Sequence, residues 1–381
     1  MNKKNILGQF YTPDCISEKM ISKVLCLFPH PQKVLELAAG EGHLLNALCS
    51  RAKLSHITAI DVDSENVDKL QCLNPEWDVI HADAMTDLPS LSKGTYDIAL
   101  GNPPFLGNVV VDSHIHELFK KVIGYDARMG SKTRAEYIFI CQYIELLSEG
   151  GLLAIIVPDT LISGFYSAMF RERLIESVDI VEVGEITSSA FTSTEAKTHV
   201  LYLKKQSPTK ASIVLTSDRH GTKSIAISNA EARSRMDFAS YINKDTDGLK
   251  QHRLSECADV SRGKYTHKEL KSLECKYIHS TTFNYDHDIE SNLSGERHLL
   301  KGDIIMCRVG SRVVGKNREY RGSPILYSDC IYRIRFRDAV LKEKFLKFLF
   351  SDKGSSTISS LTRGVCSRYI TKSDLENILF V

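Results

Sequence analysis

Residues 101–105, GNPPF, end the apolar run DIAL with an amide, two prolines and an aromatic ring. The side chain of Asn102 offers an oxygen, and a carbonyl that precedes a proline is fixed in direction. Two acceptors aimed at one exocyclic NH2 hold both of its protons. They draw the nitrogen lone pair out of ring conjugation and toward an electrophile. Pro103 and Pro104 make the acceptors rigid before a substrate arrives. Phe105 supplies a flat face on which a base can stack. A plain Pro-Pro turn accounts for the prolines but not for the asparagine and phenylalanine beside them.

Three other short stretches offer complementary chemistry. ELAAGEG (36–42) places small residues between a strand and a helix, where Gly40 and Gly42 let a ligand approach the backbone. A tight turn without a ligand is the equal alternative, and the absence of G-x-G-x-x-G speaks against a dinucleotide. Asp61 ends the next strand and can accept both hydroxyls of a ribose. Asp63 can instead orient the helix that follows. Asp83, after a third strand, can accept from an adenine amino group. Each carboxylate alone fits a solvated loop; glycine turn, ribose acceptor and adenine acceptor on successive strand ends fit a nucleoside site.

The elements that position these residues alternate. KVLEL (33–37), HITAID (56–61), WDVIHAD (77–83), YDIAL (96–100), LLAIIVP (152–158), DIVEVGEI (179–186) and HVLYLKK (199–205) read as strands. Helical patterns fall between them, one starting near Ser64 as N-cap and one over 133–151 that the glycines at 150 and 151 should stop. Nearly all-apolar central strands indicate an α/β fold with a mostly parallel sheet covered on both faces. Ligands of such sheets bind beyond the carboxyl ends of the strands. Residues 206–250 read as a connection, and from 251 short strands separated by glycine turns give way to a helix at 341–352.

Composition bounds the function. The 381 residues suggest two domains, with 43% hydrophobic and 25% charged residues as in ordinary globular chains. No apolar run reaches the roughly 18 residues of a membrane span. MNKKNILGQFYTP has no apolar signal core, so export is not expected. The ten cysteines form no C-x-x-C pair, which fits a reducing cytoplasm and gives no metal-ligand spacing. A net charge of +2 hides an asymmetry: −7 over residues 1–205 and +9 over 206–381. The basic half suits a polyanion.

In their order, GQFYTP (8–13), LELAAGEG (35–42), AIDVD (59–63), HADAM (81–85), GNPPF (101–105), GGLLAIIVP (150–158) and FTSTEAKTHVLYLKK (191–205) resemble the DNA adenine-N6 methyltransferases of the gamma motif order. The resemblance covers the first 205 residues. It implies a Rossmann-like class I methyltransferase domain with a seven-stranded sheet over 1–205 and S-adenosylmethionine as cofactor. Tyr11, Thr12 and Pro13 would contact the methionine end. Glu36, Ala38 and Gly40 would line the same pocket, Asp61 would bind ribose, and Asp83 with the Ala84 backbone would read the cofactor's adenine. Asn102, Pro103 and Pro104 would clamp the target amine, with Phe105 and Phe191 stacking on the base. No metal is implied.

ADVSRGKYT (258–266), LLKGDIIMCRVG (299–310) and ITKSDLENI (370–378) resemble the target-recognition domains of type I restriction specificity subunits. That implies a smaller mixed α+β DNA-recognition domain over 251–381. With one such copy, a self-contained methyltransferase is expected, and no nuclease motif stands out. Its partners would be double-stranded DNA and a cognate restriction endonuclease linked genetically, in a bacterial, archaeal or phage-infected cytoplasm. The base must leave the duplex to react. Lys120, Lys121, Arg128, Lys132 and Arg134, after GNPPF, either close over the flipped strand or form a solvated basic face. Rival readings are an RNA or protein-glutamine methyltransferase, and a DNA-binding subunit without activity.

Overall fold

The computed structural model describes residues 12–186, 197–218, 223–241, 251–273, 275–286, 298–310, 312–364 and 368–381. They fall into two compact units, Met1–Phe238 and Ala239–Val381.

The first unit opens with α1 (Asp14–Leu27), β1 (Lys33–Glu36), α2 (His43–Cys49), β2 (His56–Asp61), α3 (Ser64–Leu73), β3 (Asp78–His81) and β4 (Tyr96–Gly101). A two-residue strand β5 (Val109–Val110), α4 (Ser113–Ile123), β6 (Lys132–Thr133) and α5 (Ala135–Leu146) follow. Then come β7 (Leu147–Pro158), α6 (Asp159–Ser163), α7 (Ala168–Ser177), β8 (Asp179–Ile186), β9 (Thr198–Lys204), β10 (Ser212–Ser217), β11 (Lys223–Ser228) and α8 (Asn229–Ser234).

One sheet holds the strands in the order β11-β10-β8-β9-β7-β4-β1-β2-β3. Neighbours from β7 through β4, β1 and β2 to β3 run parallel. β9 is antiparallel to both β7 and β8. The chain steps outward from β1 through β2 to β3 and then crosses back to β4 on the other side. That reversal creates a crevice beyond the carboxyl ends of β1 and β4. This is the Rossmann-like α/β arrangement.

Three expectations need correction. The sheet has nine strands rather than seven, because SIVLTS and KSIAIS form β10 and β11 and pair as a hairpin. Part of the 206–250 stretch therefore belongs to the sheet. The helix expected to run to Gly150 stops at Leu146, and β7 starts at Leu147. The glycines serve a bulge instead: Gly150 has φ 77°, and a Cβ on Gly151 would lie 2.9 Å from the Ser148 carbonyl. Finally, Asp63 rather than Ser64 is the N-cap of α3, its side chain accepting from the Glu65 amide.

The core of this unit packs α1 and α2 through Met20, Ile21, Leu44 and Leu45 onto Val34, Ile98 and Ala154 of the central strands. α5 is buried on every face except at Glu145, as its all-round apolar sequence requires.

The second unit contains β12 (His252–Arg253), β13 (Ala258–Arg262), α9 (His267–Ser272), β14 (Tyr277–Ile278), β15 (Ile304–Cys307), β16 (Asn317–Glu319), β17 (Leu326–Tyr327) and β18 (Ile331–Phe336). α10 (Ala339–Phe350), α11 (Asp352–Leu361), α12 (Lys372–Glu376) and β19 (Leu379–Phe380) complete it. In an antiparallel sheet of the order β13-β18-β15-β16, the central strands β15 and β18 are covered on both faces. Ile304 and Met306 pack toward Phe345 and Phe380, while Ile305 and Cys307 pack with Tyr320 and Ile331. No helix among the described residues is long and apolar enough to cross a membrane.

Candidate active site

The ends of β1 and β4 are held together by one phenol. Tyr143 of α5 is fully buried; its hydroxyl donates to the Leu100 carbonyl at 2.7 Å and accepts from the Leu37 amide at 2.8 Å. Burial pushes its pKa well above the ordinary tyrosine value, with Glu36 adding to the shift, so the phenol stays protonated. Gly101 makes room for it, since a Cβ there would meet the Tyr143 oxygen at 2.6 Å.

Asn102 is the next residue. Its Nδ2 donates to the Thr12 hydroxyl at 3.1 Å, which turns the side-chain oxygen onto the opposite branch of the amide. Thr12, expected to face the cofactor, is buried and thus also fixes the clamp. Pro13 caps α1, its carbonyl accepting from Ile16 and Ser17 at 2.9 and 3.0 Å. Pro103 is buried, while Pro104 and Phe105 are half-buried. Phe105 leans against the α1–β1–α2 core, so only part of its ring is available for stacking. The chain then turns through Asn108 at φ 65° into the β5–β6 ribbon. Tyr11 and Phe191 lie outside the described residues.

On the β1 side, the glycine turn folds over Asp61. One carboxylate oxygen of Asp61 accepts from the Gly40 amide at 2.7 Å and the other from the Asp63 amide at 2.8 Å. Asp61 is 5% exposed. Gly40 has φ 55° and Gly42 φ 79°. At Gly42 packing of α3 demands the glycine, since a Cβ on it would strike Leu70 at 2.8 Å.

Glu36, 2% exposed, carries an oxygen, Oε2, with no hydrogen-bond partner among the described residues. Burial lifts its pKa well above the usual carboxylate range, and the Asp61 charge adds to the rise. A buried carboxyl left incomplete in this way is costly to the free protein.

Asp83 ends the third strand's loop, accepting from the Met85 amide at 2.9 Å. Ala84 beside it is buried and Ala38 half-buried. Gln142, next to Tyr143 on α5, donates to the carbonyls of Ala84 at 3.2 Å and Thr86 at 2.6 Å. Two adjacent residues of one buried helix therefore fix the Asp83 loop and the β1–β4 crevice.

Residues 1–265 match the family described as N-6 DNA Methylase, well over half of the chain. The chain belongs to that family. Among curated relatives, modification methylase CviBIII of Paramecium bursaria Chlorella virus NC1A is 25% identical over 205 residues, covering 53% of this chain and 51% of the relative. The type II methyltransferase M.HincII of Haemophilus influenzae is 28% identical over 180 residues, covering 46% and 32%. The chain thus spans about half or less of the length of these relatives. In three dimensions, the type IIG restriction endonuclease BpuSI superposes on 97% of this chain and 58% of its own. Its TM-score is 0.54 at 12% identity, a likeness of fold.

Elsewhere on the same sheet edge the chain buries a charge cluster that the sequence reading missed. Lys197, with a side chain 12% exposed, lies 3.3 Å from Glu185, 3.5 Å from Asp159 and 3.8 Å from Asp237. Burial opposes its charge, but the carboxylates of Asp237, Asp159 and Glu185 outweigh that and raise its pKa. Asp159 also accepts from Ser163 at 2.6 Å and lies 3.0 Å from the His199 ring. Its pKa is held below the ordinary value: Lys197 and His199 together outweigh burial.

Of the basic residues after GNPPF, Lys121 pairs with Glu145 at 2.9 Å and Arg134 with Glu136. Lys120, Arg128 and Lys132 are exposed.

Proposed function

We propose that this chain is a site-specific DNA methyltransferase acting on N6 of an adenine extruded from the duplex, as the modification enzyme of a restriction–modification system. The observation that carries the reading is Asn102. It stands at the carboxyl end of β4, in the crevice beside β1, with its amide oriented by Thr12 and followed by two prolines.

The residues on the β1 side suit S-adenosylmethionine, which is cationic at sulfur and at its amino group. The incomplete Glu36 carboxyl, the glycine turn at Gly40, and the carboxylates of Asp61 and Asp83 make an acidic edge for it. Bound there, the cofactor supplies an electrophilic methyl group. In this reading Tyr11, Thr12 and Pro13 contact the methionine end, Glu36, Ala38 and Gly40 line the same pocket, Asp61 takes the ribose, and Asp83 with Ala84 takes the adenine.

Asn102 accepts one proton of the target amine through its side-chain oxygen, and the Pro103 carbonyl accepts the other. Pro103 and Pro104 keep both acceptors stationary, and Phe105 with Phe191 flanks the base. Holding the amine at attack distance is the main contribution. Once alkylated, the nitrogen is acidic and needs no dedicated base.

The second unit is assigned to DNA recognition. Exposed Lys264, Lys268, Lys271 and Lys276, on and around α9, offer phosphate contacts. Arg318, Arg335 and Arg363 instead form ion pairs with Asp286, Asp303 and Asp374. A cytoplasmic enzyme with a genetically linked endonuclease completes the reading.

Transfer of labelled methyl groups to duplex DNA, RNA and protein tests it. Label should enter DNA alone, as N6-methyladenine. Asn102→Ala should cut transfer by on the order of a thousandfold while leaving cofactor affinity within about twofold. Equal loss of both would make the motif structural.

A further inference from the structure

Phe165, Tyr166 and Met169 are 69%, 94% and 60% exposed, three large apolar side chains within five residues. Phe165 and Tyr166 occupy the turn between α6 and α7 and Met169 the first turn of α7, just past the carboxyl end of β7, the strand that pairs with β4. The Phe165 and Tyr166 rings meet edge to face at 5.6 Å.

This turn is rigidly built. Arg171, fully buried on α7, donates to the carbonyls of Leu161 at 2.8 Å and Gly164 at 2.7 Å on one side. On the other side it donates to those of Arg233 and Ser234. Gly164 packs so tightly that a Cβ would lie 2.2 Å from the Thr160 carbonyl. Tyr137 donates from its hydroxyl to Ser167 at 2.6 Å, and its ring stacks on Phe170 at 4.0 Å. A buried guanidinium and a stacked aromatic pair thus support a turn whose own aromatic rings point into water. Rigid, exposed aromatic rings cost solubility and gain nothing for folding, so a flat partner is the economical explanation.

We propose that Phe165 and Tyr166 form a nucleobase-stacking platform that contacts the DNA beside the extruded adenine. The proposal rests on the function assigned above and extends it. Two observations favour DNA over a protein partner. The turn lies on the same sheet edge as Asn102, one strand away. The helix packed against α7, joined to it by Phe119 and Phe170 at 6.0 Å, leads into a segment with exposed Lys120, Arg128 and Lys132. Glu117 and Asp126 are exposed among these cations, which outnumber them three to two. Aromatic rings interleaved with cations are the means by which proteins hold unstacked bases without reading sequence.

The test compares the wild-type chain with Phe165→Ala/Tyr166→Ala and with Phe165→Trp/Tyr166→Phe. The probes are unmethylated genomic DNA fragments, with tritiated S-adenosylmethionine as donor. The alanine pair should raise the Kd for DNA by about tenfold or more and lower methylation at subsaturating DNA in step, with cofactor affinity retained. The aromatic pair should restore both. DNA binding and methylation unchanged in the alanine pair would overturn the platform while leaving the assigned function intact. So would a change in oligomeric state without any change in DNA affinity, which would make the patch a contact between copies. A wild-type chain that binds no DNA would sink both readings together.

Discussion

At the β1–β4 end of the sheet edge, Glu36 keeps a buried carboxyl oxygen without a hydrogen-bond partner among the described residues. At the β7–β9 end, Lys197 is ringed by Asp159, Glu185 and Asp237, and Arg235 forks onto Asp237 at 2.7 and 3.1 Å. The same edge therefore holds one buried carboxyl with no ion-pair partner among the described residues and one network in which cations are already supplied. Folding supplies the cations of that network, although the buried His199 Nδ1 within it also lacks a hydrogen-bond partner among the described residues. In the proposed reading a bound cofactor supplies the cation that the first site lacks. Buried charge by itself does not mark a ligand site; a buried carboxyl with no cation beside it is the stronger candidate.

The largest effect should come from breaking the completed end. Lys197→Met leaves three carboxylates without their shared cation, and unfolding in urea should show a loss of about 3–5 kcal/mol. A loss under about 1 kcal/mol would mean that the cluster is solvated and the contrast unfounded. Next in size is Thr12→Val, which removes the hydroxyl holding the Asn102 amide. Methyl transfer should fall about 10- to 100-fold, because small misplacements at the reacting atom are expensive. Thermal stability should hardly move, and a drop in cofactor affinity as large as the drop in rate would place Thr12 on the cofactor rather than on the clamp.

The smallest and sharpest effect concerns pH. The folded pKa of Glu36 lies above its unfolded value, so between the two the native carboxyl keeps a proton that the unfolded chain releases. Its contribution to the stability of the ligand-free protein is present below that window and lost as pH rises through it. A bound cation favours the ionised form, so cofactor affinity should rise with pH over the same window and protons should be released on binding. Calorimetry in buffers of different ionisation enthalpy measures that release. In Glu36→Gln the release should vanish; if it persists, another group is titrating.

The sequence made the strand ends legible because their residues are unusual for strands: Gly40, Asp61, Asp83 and Asn102 each interrupt an apolar run. What it concealed were side chains that work from inside an apolar helix. In AEYIFICQYIEL, Gln142 and Tyr143 look like tolerated polar residues, and only the fold brings their polar atoms to Ala84, Leu37 and Leu100. The β10–β11 hairpin was hidden by its position at the sheet edge, where KSIAIS is mostly exposed and lacks the apolar density of a central strand. Gly42 shows a further blind spot. A glycine in a plausible ligand turn also answers to Leu70.

Gln142 and Tyr143 are consecutive, and the helix that carries them lies wholly within the first unit. Both halves of the crevice are thus set by a single internal ruler. If the second unit selects the DNA sequence, as proposed, it can change its target without the residues of the crevice having to be aligned afresh.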